Sequence, residues 1–88
     1  MVERQVTVIN VNGIHARPAA EIVKLAATFA CHVTLARDDL EVNGKSIMGV
    51  MMLAAECGAT VRIKADGVDE VAAAAALADL IASTFGES

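Results

Sequence analysis

The sequence is poor in aromatic and basic residues. It has no tryptophan or tyrosine, and its two phenylalanines are Phe29 and Phe85. Seven lysines and arginines stand against eleven aspartates and glutamates, which gives a formal net charge of −4 at pH 7. Proteins that bind nucleic acid need a basic face, and those that hold single strands also stack bases on aromatic rings. The composition therefore argues against nucleic acid as a partner.

Cysteine and histidine are scarce and scattered. Cys31 and Cys57 do not form a CxxC pair, and His15 and His32 are the only histidines. Because structural zinc sites use closely spaced pairs of such ligands, we expect no metal site. We interpret both cysteines as reduced, small core residues. His32 begins a predicted strand with no evident partner, so we interpret it as structural or exposed.

No long hydrophobic run is present. Apolar residues make up 56% of the chain, but much of this is alanine, and no run approaches the about 20 residues of a membrane-spanning helix. Residues 1–4 lead into a strand pattern without the apolar core of a signal peptide, so we expect a cytoplasmic protein with no membrane insertion. The 88 residues predict a single domain, 1–88, with a shallow surface site rather than a deep cleft.

The spacing of apolar residues predicts seven secondary-structure elements. Alternation predicts strands at 5–11, 32–37, 40–42 and 60–65, and helical spacing predicts helices at 16–29, 47–55 and 70–84. Asp69 is expected to cap the last helix. The inner stripe of that helix is predicted to contain Val71, Ala74, Leu77, Ala78 and Ile81. The order βαββαβα indicates a two-layer α+β domain, with helices over one face of a four-stranded antiparallel sheet.

The most informative stretch is residues 12–20, with the sequence NGIHARPAA. If a helix begins at Ala16, its first N–H groups have no acceptor within the helix and point toward His15, where the helix dipole adds positive charge. Pro18 suits the first turn, where no N–H is needed. Arg17 adds a fixed cation whose donors match phosphate oxygens. This pattern favours a phosphoryl group carried on His15, and the alternative is that His15 is only a cap or a surface residue.

A second notable stretch begins at Ser46, a preferred type of residue immediately before a helix. The helix that follows is unusually apolar for the surface. Since so short a helix must be anchored by packing, we expect some of Ile47, Met48, Met51 and Met52 to face the core. Any that are exposed would form an apolar docking patch, because methionine adapts to many partners. Helical spacing alone leaves open which of the four are exposed.

Residues 13–19, GIHARPA, resemble the active-site signature of HPr, the histidine phosphocarrier of the bacterial phosphoenolpyruvate-dependent phosphotransferase system. A second block that resembles the family, residues 44–53, lies at the usual distance downstream, and the likeness covers essentially all 88 residues. The resemblance implies an open-faced sandwich with three helices on one side of the sheet. It also implies a carrier, not a stand-alone enzyme, in which enzyme I charges His15 and His15 passes the phosphoryl group to a IIA-type acceptor. No cofactor is expected beyond the covalent phosphate.

The resemblance also implies roles for other residues. Arg17 would assist His15, and the backbone N–H groups of Ala16 and Arg17 would stabilise the phosphate. Ser46 matches the serine that an HPr kinase/phosphorylase modifies in many members, and its structural alternative is a plain helix cap. The expected partner-contact residues are Ala20, Lys24, Ile47, Met48 and Met51. We expect a monomer.

The branch of the family is left open by the sequence. Residues 51–55 look like members of the nitrogen-related regulatory branch as much as members that serve sugar transport. One alternative is therefore a regulatory adaptor whose phosphorylation state is read by other proteins, without sugar uptake. A metal- or ligand-binding module is a further alternative, but no spacing of residues supports it.

Overall fold

The computed structural model describes residues 1–86, and in them four strands and three α-helices follow one another in the order βαββαβα. The strands are β1 (Val2–Thr7), β2 (His32–Arg37), β3 (Leu40–Asn43) and β4 (Thr60–Asp66). The helices are α1 (Ala16–Ala27), α2 (Ile47–Met52) and α3 (Glu70–Ala82), and a 3₁₀ turn at Thr84–Gly86 follows α3.

The four strands form one antiparallel sheet in the order β1-β4-β2-β3. The two central strands pair from His32 opposite Asp66 to Ala36 opposite Arg62. Along β4 buried and more accessible residues alternate, because one face of the sheet packs against the helices and the other faces solvent. The structure confirms the predicted α+β class and the open-faced sandwich.

Several element boundaries differ from the prediction. β1 begins at Val2 and ends at Thr7, where its partner strand β4 begins at Thr60. The chain beyond Thr7, predicted to continue the strand, is instead a loop that leads to α1. All three helices end two or three residues earlier than predicted. After α2 and α3 the backbone turns to positive φ at Ala54 and Thr84, which ends the helical conformation.

The core lies between the sheet and helices α1 and α3. From α3 it receives Ala73, Ala74, Leu77, Ala78 and Ile81. The predicted stripe is therefore correct except at Val71, which is 68% exposed. Alanine-rich spacing gives little information on which face of a helix is inside, and Ala73 takes the place that we assigned to Val71. Small side chains let α3 lie close to the sheet.

Asp69 occupies the N-cap position of α3, but its side chain makes no capping hydrogen bond, so that prediction is wrong. Its carboxylate instead accepts the N–H groups of Ala30, at 2.8 Å, and Cys31, at 2.9 Å. These bonds lower the pKa of Asp69, with the Ala30 N–H as the largest cause. Asp69 therefore ties the connection between α1 and β2 to the start of α3.

The two cysteines lie in different environments. Cys31 is buried, as expected, and burial raises the pKa of its thiol. Cys57 is exposed, so its assignment to the core is wrong: it lies in the loop between α2 and β4, which runs along the surface.

Within residues 1–86, no helix is both long and apolar enough to cross a membrane.

Candidate functional site

His15 is the N-cap residue of α1 and lies at the end of the loop from β1. The residue is exposed, and its backbone is extended, with φ −91° and ψ −166°. The imidazole makes no capping hydrogen bond to α1. The alternative of a side-chain cap is therefore contradicted.

The first turn of α1 presents backbone N–H groups next to His15. The first bond into the helix runs from the Ala19 N–H to the His15 carbonyl, at 2.9 Å. Pro18 is buried and has no N–H, which fits its position in the first turn. The amides of Ala16 and Arg17 therefore have no acceptor within the helix, and they lie at its positive end. Such an end attracts negatively charged groups.

Arg17 brings a cation to the same turn. It is exposed and forms no ion pair with the carboxylates of residues 1–86, whereas Arg37 and Lys64 are both paired. An unpaired guanidinium keeps its donors available for an anion. The structure thus brings together the three predicted features, the exposed imidazole, the two amides and the Arg17 cation, within one helical turn.

The loop before His15 is fixed by buried contacts. Asn10 is fully buried, and its side-chain amide donates to the Gly13 carbonyl at 2.7 Å. The Ile14 N–H donates to the Ala55 carbonyl at 2.7 Å. Gly13 has a φ of +66°, and a Cβ there would lie 2.5 Å from the Ala55 carbonyl oxygen, so no side chain fits. The loop that carries His15 therefore rests directly on Ala55.

The segment after α2, residues 54–56, contacts the loop that carries His15. The sequence analysis did not predict this contact. Ala54 has a φ of +50°, which is uncommon for a residue with a side chain. Its carbonyl accepts a hydrogen bond from Arg37, at 2.6 Å, and the same guanidinium pairs with Glu56, also at 2.6 Å. No local pattern in the sequence reveals these contacts, because Arg37 belongs to β2 and reaches the segment only in the folded chain.

Ser46 caps α2, as predicted. Its Oγ accepts the N–H of Gly49 at 3.1 Å, and its own backbone is extended. The residue is half-buried. Its hydroxyl is therefore engaged as the cap of this short helix, whether or not it has a second role.

The apolar residues of α2 are more exposed than predicted. Val50 and Leu53 supply the contacts with the core. We expected some of the four large side chains to be buried, and this is wrong, because all four are exposed by 43–69%. We call these four the methionine patch: Ile47, Met48, Met51 and Met52. Ile9 and Val11, on the loop before His15, add further exposed apolar surface. The sequence analysis had assigned both residues to a strand.

The other predicted contact residues lie on α1. Lys24 is exposed and Ala20 is half-buried. Ala20 and Lys24 follow Arg17 at spacings of three and seven residues, which places all three on one side of the helix. A shallow groove of about 460 Å³ lies between α1 and α3, and it is lined by Glu21, Lys24, Leu25, Thr28 and Leu80. None of the predicted phosphate-binding residues lines this groove.

The described part of the chain offers no metal centre: within residues 1–86, no three His, Cys, Asp or Glu side chains form a group that could hold an ion. His32 is exposed at the start of β2, on the strand opposite Asp66. The chemistry that the geometry offers is thus nucleophilic and anion-binding, and it is concentrated at the start of α1.

Comparisons with known proteins agree with this geometry. Residues 2–83 match the family model described as PTS HPr component phosphorylation site. The chain is similar to the phosphocarrier protein HPr of Cupriavidus necator, with 49% identity over 99% of this chain and 98% of that protein. It is 48% identical to the phosphocarrier protein HPr of Treponema pallidum, over 99% of each chain. The crystal structure of HPr-C-His from Thermoanaerobacter tengcongensis superposes with a TM-score of 0.95 at 44% identity, over 100% of this chain and 99% of that one.

Proposed function

The chain belongs to the HPr family of phosphocarrier proteins of the phosphotransferase system, and from this premise we propose that His15 is the residue that carries the phosphoryl group. One observation supports the assignment above all. His15 is exposed at the N-cap of α1, next to two helix amides that have no intrahelical acceptor and to Arg17, which forms no ion pair with the carboxylates of residues 1–86. Nucleophile, dipole and cation thus converge where a phosphate on the imidazole would lie.

The transfer that we propose needs little from the carrier itself. A ring nitrogen of His15 attacks the phosphorus, and the bond between phosphorus and enzyme I breaks as the new nitrogen–phosphorus bond forms. The amides of Ala16 and Arg17, with the Arg17 guanidinium, then offset the charge of the phosphate oxygens. The group leaves by the reverse step, to a IIA-type acceptor. The phosphate is covalent throughout, and no cofactor takes part.

The partners would dock next to His15. The methionine patch presents four adjacent, exposed apolar side chains, and apolar patches on small proteins commonly mark interaction sites. On the other side, Arg17, Ala20 and Lys24 share one face of α1 and offer two cations. We propose that enzyme I and the IIA-type acceptor both contact this apolar and basic surface, with Ile47, Met48 and Met51 as its apolar contacts.

We further propose that Ser46 is a regulatory site for an HPr kinase/phosphorylase. Phosphate on its hydroxyl would add about two negative charges at the start of α2. A phosphate oxygen can still accept the Gly49 N–H, so the cap bond need not be lost. The added charge lies immediately before Ile47 and Met48, where it would repel an acidic partner. Phosphoserine would therefore lower the rate at which enzyme I charges His15.

The proposal is tested by intact mass after incubation with phosphoenolpyruvate and enzyme I. We expect one acid-labile phosphoryl group on the wild type and none on His15→Ala. His32→Ala is the matched control, because His32 is the other histidine and is also exposed. It should be labelled like the wild type. Loss of the label in His32→Ala but not in His15→Ala, or no label on folded wild type, would refute the assignment.

The branch is tested by the choice of acceptor. The phosphorylated protein is offered a IIA component of sugar transport and one of the nitrogen-related branch in separate reactions, and the rates of phosphate loss from His15 are compared. Faster transfer to the sugar component would place the carrier in sugar uptake. Faster transfer to the nitrogen-related component would favour the regulatory adaptor.

A further inference from the structure

Arg37 connects the sheet to the segment beneath the histidine loop. It is the last residue of β2 and belongs to neither of the two motifs. Its Nη1 donates to the Ala54 carbonyl and its Nη2 to the Glu56 carboxylate, each at 2.6 Å. The planar guanidinium therefore holds one group on each side of Ala55 in a fixed geometry.

Ala55 is the residue on which the histidine loop rests. It is buried, its carbonyl accepts the Ile14 N–H at 2.7 Å, and the backbone of Gly13 packs against its oxygen. Ile14 is followed directly by His15. A movement of Ala55 would therefore shift the backbone that sets the position of the imidazole and of the α1 amides.

The segment is also strained. Ala54 has a φ of +50°, a conformation that a residue with a Cβ adopts only when its surroundings impose it. The hydrogen bond from Arg37 to the Ala54 carbonyl is one of the contacts that hold Ala54 in this conformation. Of the two interactions that Arg37 makes, the ion pair with Glu56 is the weaker, because Glu56 is 73% exposed and surface ion pairs contribute little. The restraint on the histidine loop thus comes mainly from the bond to the backbone.

We propose that Arg37 is a positioning residue for phosphoryl transfer, which acts on His15 through Ala54, Ala55 and Ile14. This inference rests on the proposed role of His15 as the phosphoryl carrier. Arg37 does not touch the phosphate. It keeps the strained segment in place, and the segment keeps the loop and the first turn of α1 in the geometry that receives the phosphoryl group.

The test compares Arg37→Met with Arg62→Met. Arg62 is a matched control, because its Nη2 also donates to a backbone carbonyl, but to that of Asp38 between β2 and β3, at 2.7 Å, and not to the segment after α2. Two quantities are measured: hydrogen exchange of the Ile14 amide, and the single-turnover rate of phosphoryl transfer from saturating phosphorylated enzyme I. Exchange of the Ile14 amide should be about tenfold faster in Arg37→Met, the change expected for one lost hydrogen bond to a charged donor.

The transfer rate should fall about three- to tenfold in Arg37→Met, because small misplacements of reacting groups slow transfer. The enzyme I concentration that gives half the maximal rate should not change, since the methionine patch is untouched. Arg62→Met should match the wild type in both measurements. Arg37→Lys should give an exchange rate and a transfer rate between those of the wild type and Arg37→Met, because an ammonium keeps the charge but lacks the two parallel donors of the guanidinium. Glu56→Gln should stay within about twofold of the wild type, since exposed ion pairs are weak. If Arg37→Met does not fold, Arg37→Lys takes its place in the comparison with Arg62→Met.

The outcomes separate this inference from the proposed function. If the wild type accepts no phosphoryl group, the proposed role of His15 fails, and the Ile14 exchange still reports whether Arg37 holds the loop. If the wild type accepts the group but Arg37→Met exchanges and transfers like Arg62→Met, the positioning role is refuted. Faster exchange of all core amides in Arg37→Met, in place of a change centred on Ile14, would also refute it.

Discussion

Replacing Ala54 by glycine should stabilise the protein. Ala54 has a φ of +50°, and the left-handed conformation costs a residue with a Cβ about 1–2 kcal/mol. Glycine avoids this cost but loses about 0.5–1 kcal/mol more in backbone entropy on folding. The methyl group is exposed, so little burial is lost with it. The expected net gain in the free energy of unfolding is about 0.5–1 kcal/mol.

The same substitution at Ala72 provides the control. Ala72 is an exposed residue within α3, where its backbone is helical, and glycine there should cost about 1 kcal/mol. Urea denaturation followed by circular dichroism measures both variants. With a slope of about 1 kcal/mol per molar urea for a small domain, the midpoint should rise by about 0.5–1 M in Ala54→Gly and fall by about 1 M in Ala72→Gly.

The two substitutions are expected to change the free energy of unfolding in opposite directions. If Ala54→Gly destabilises the protein as much as Ala72→Gly, the left-handed backbone at Ala54 is refuted, and with it the strain that Arg37 is proposed to restrain. The Ala54 carbonyl remains in the glycine variant, so its bond to Arg37 is retained. Phosphoryl transfer should therefore stay at the wild-type rate in Ala54→Gly.

Other substitutions test the remaining contacts. Ser46→Ala removes the bond to the Gly49 N–H and should cost about 1 kcal/mol of stability in urea denaturation, whereas Ser46→Asp should keep most of the cap. At neutral pH a thiol reagent should label Cys57 rapidly and Cys31 only after unfolding, because burial protects Cys31 and raises its pKa; equal labelling of both thiols in the native protein would contradict this. The pKa of Asp69 is lowered in the folded state, so its stabilising effect is complete above the unfolded pKa of 3.8 and is lost as the pH falls through the lower folded value. Asp69→Asn should therefore lower the melting temperature at pH 7 and make its decline toward acid shallower; an unchanged acid limb would exclude this carboxylate as the cause.

The fold could be predicted because its signals are local. Alternation marks the strands, helical spacing marks the helices, and their order restricts the architecture. The errors occur where a long-range contact decides. β1 ends at Thr7 because β4 begins at Thr60, which no pattern near residue 7 reveals. Asp69 looked like a helix cap, but the connection from α1 to β2 supplies two N–H groups that compete for its carboxylate.

Some features of the candidate site could likewise be predicted from local sequence, and others could not. The position of His15, Arg17 and Pro18 at the start of one helix could be predicted, because a helix start is a local property of the sequence. The exposure of the methionine patch was not predictable from spacing. It depends on Val50 of α2 and on Leu53, the residue that follows α2, taking the core positions, and helical spacing alone did not select these two from among their apolar neighbours.

The exposure of the proposed carrier site determines which contacts must hold it in place. A histidine that meets a donor and an acceptor in turn has to be open to both, so it cannot be enclosed by a deep pocket. His15 and Arg17 are accordingly exposed, and the contacts that fix them lie below the surface, in Asn10, Gly13 and the Ala55 carbonyl. The contact between Ile14 and the Ala55 carbonyl joins segments about forty residues apart. The chemical group is thus encoded locally, while its positioning depends on the whole fold, which is why a residue such as Arg37 can matter without belonging to the motif.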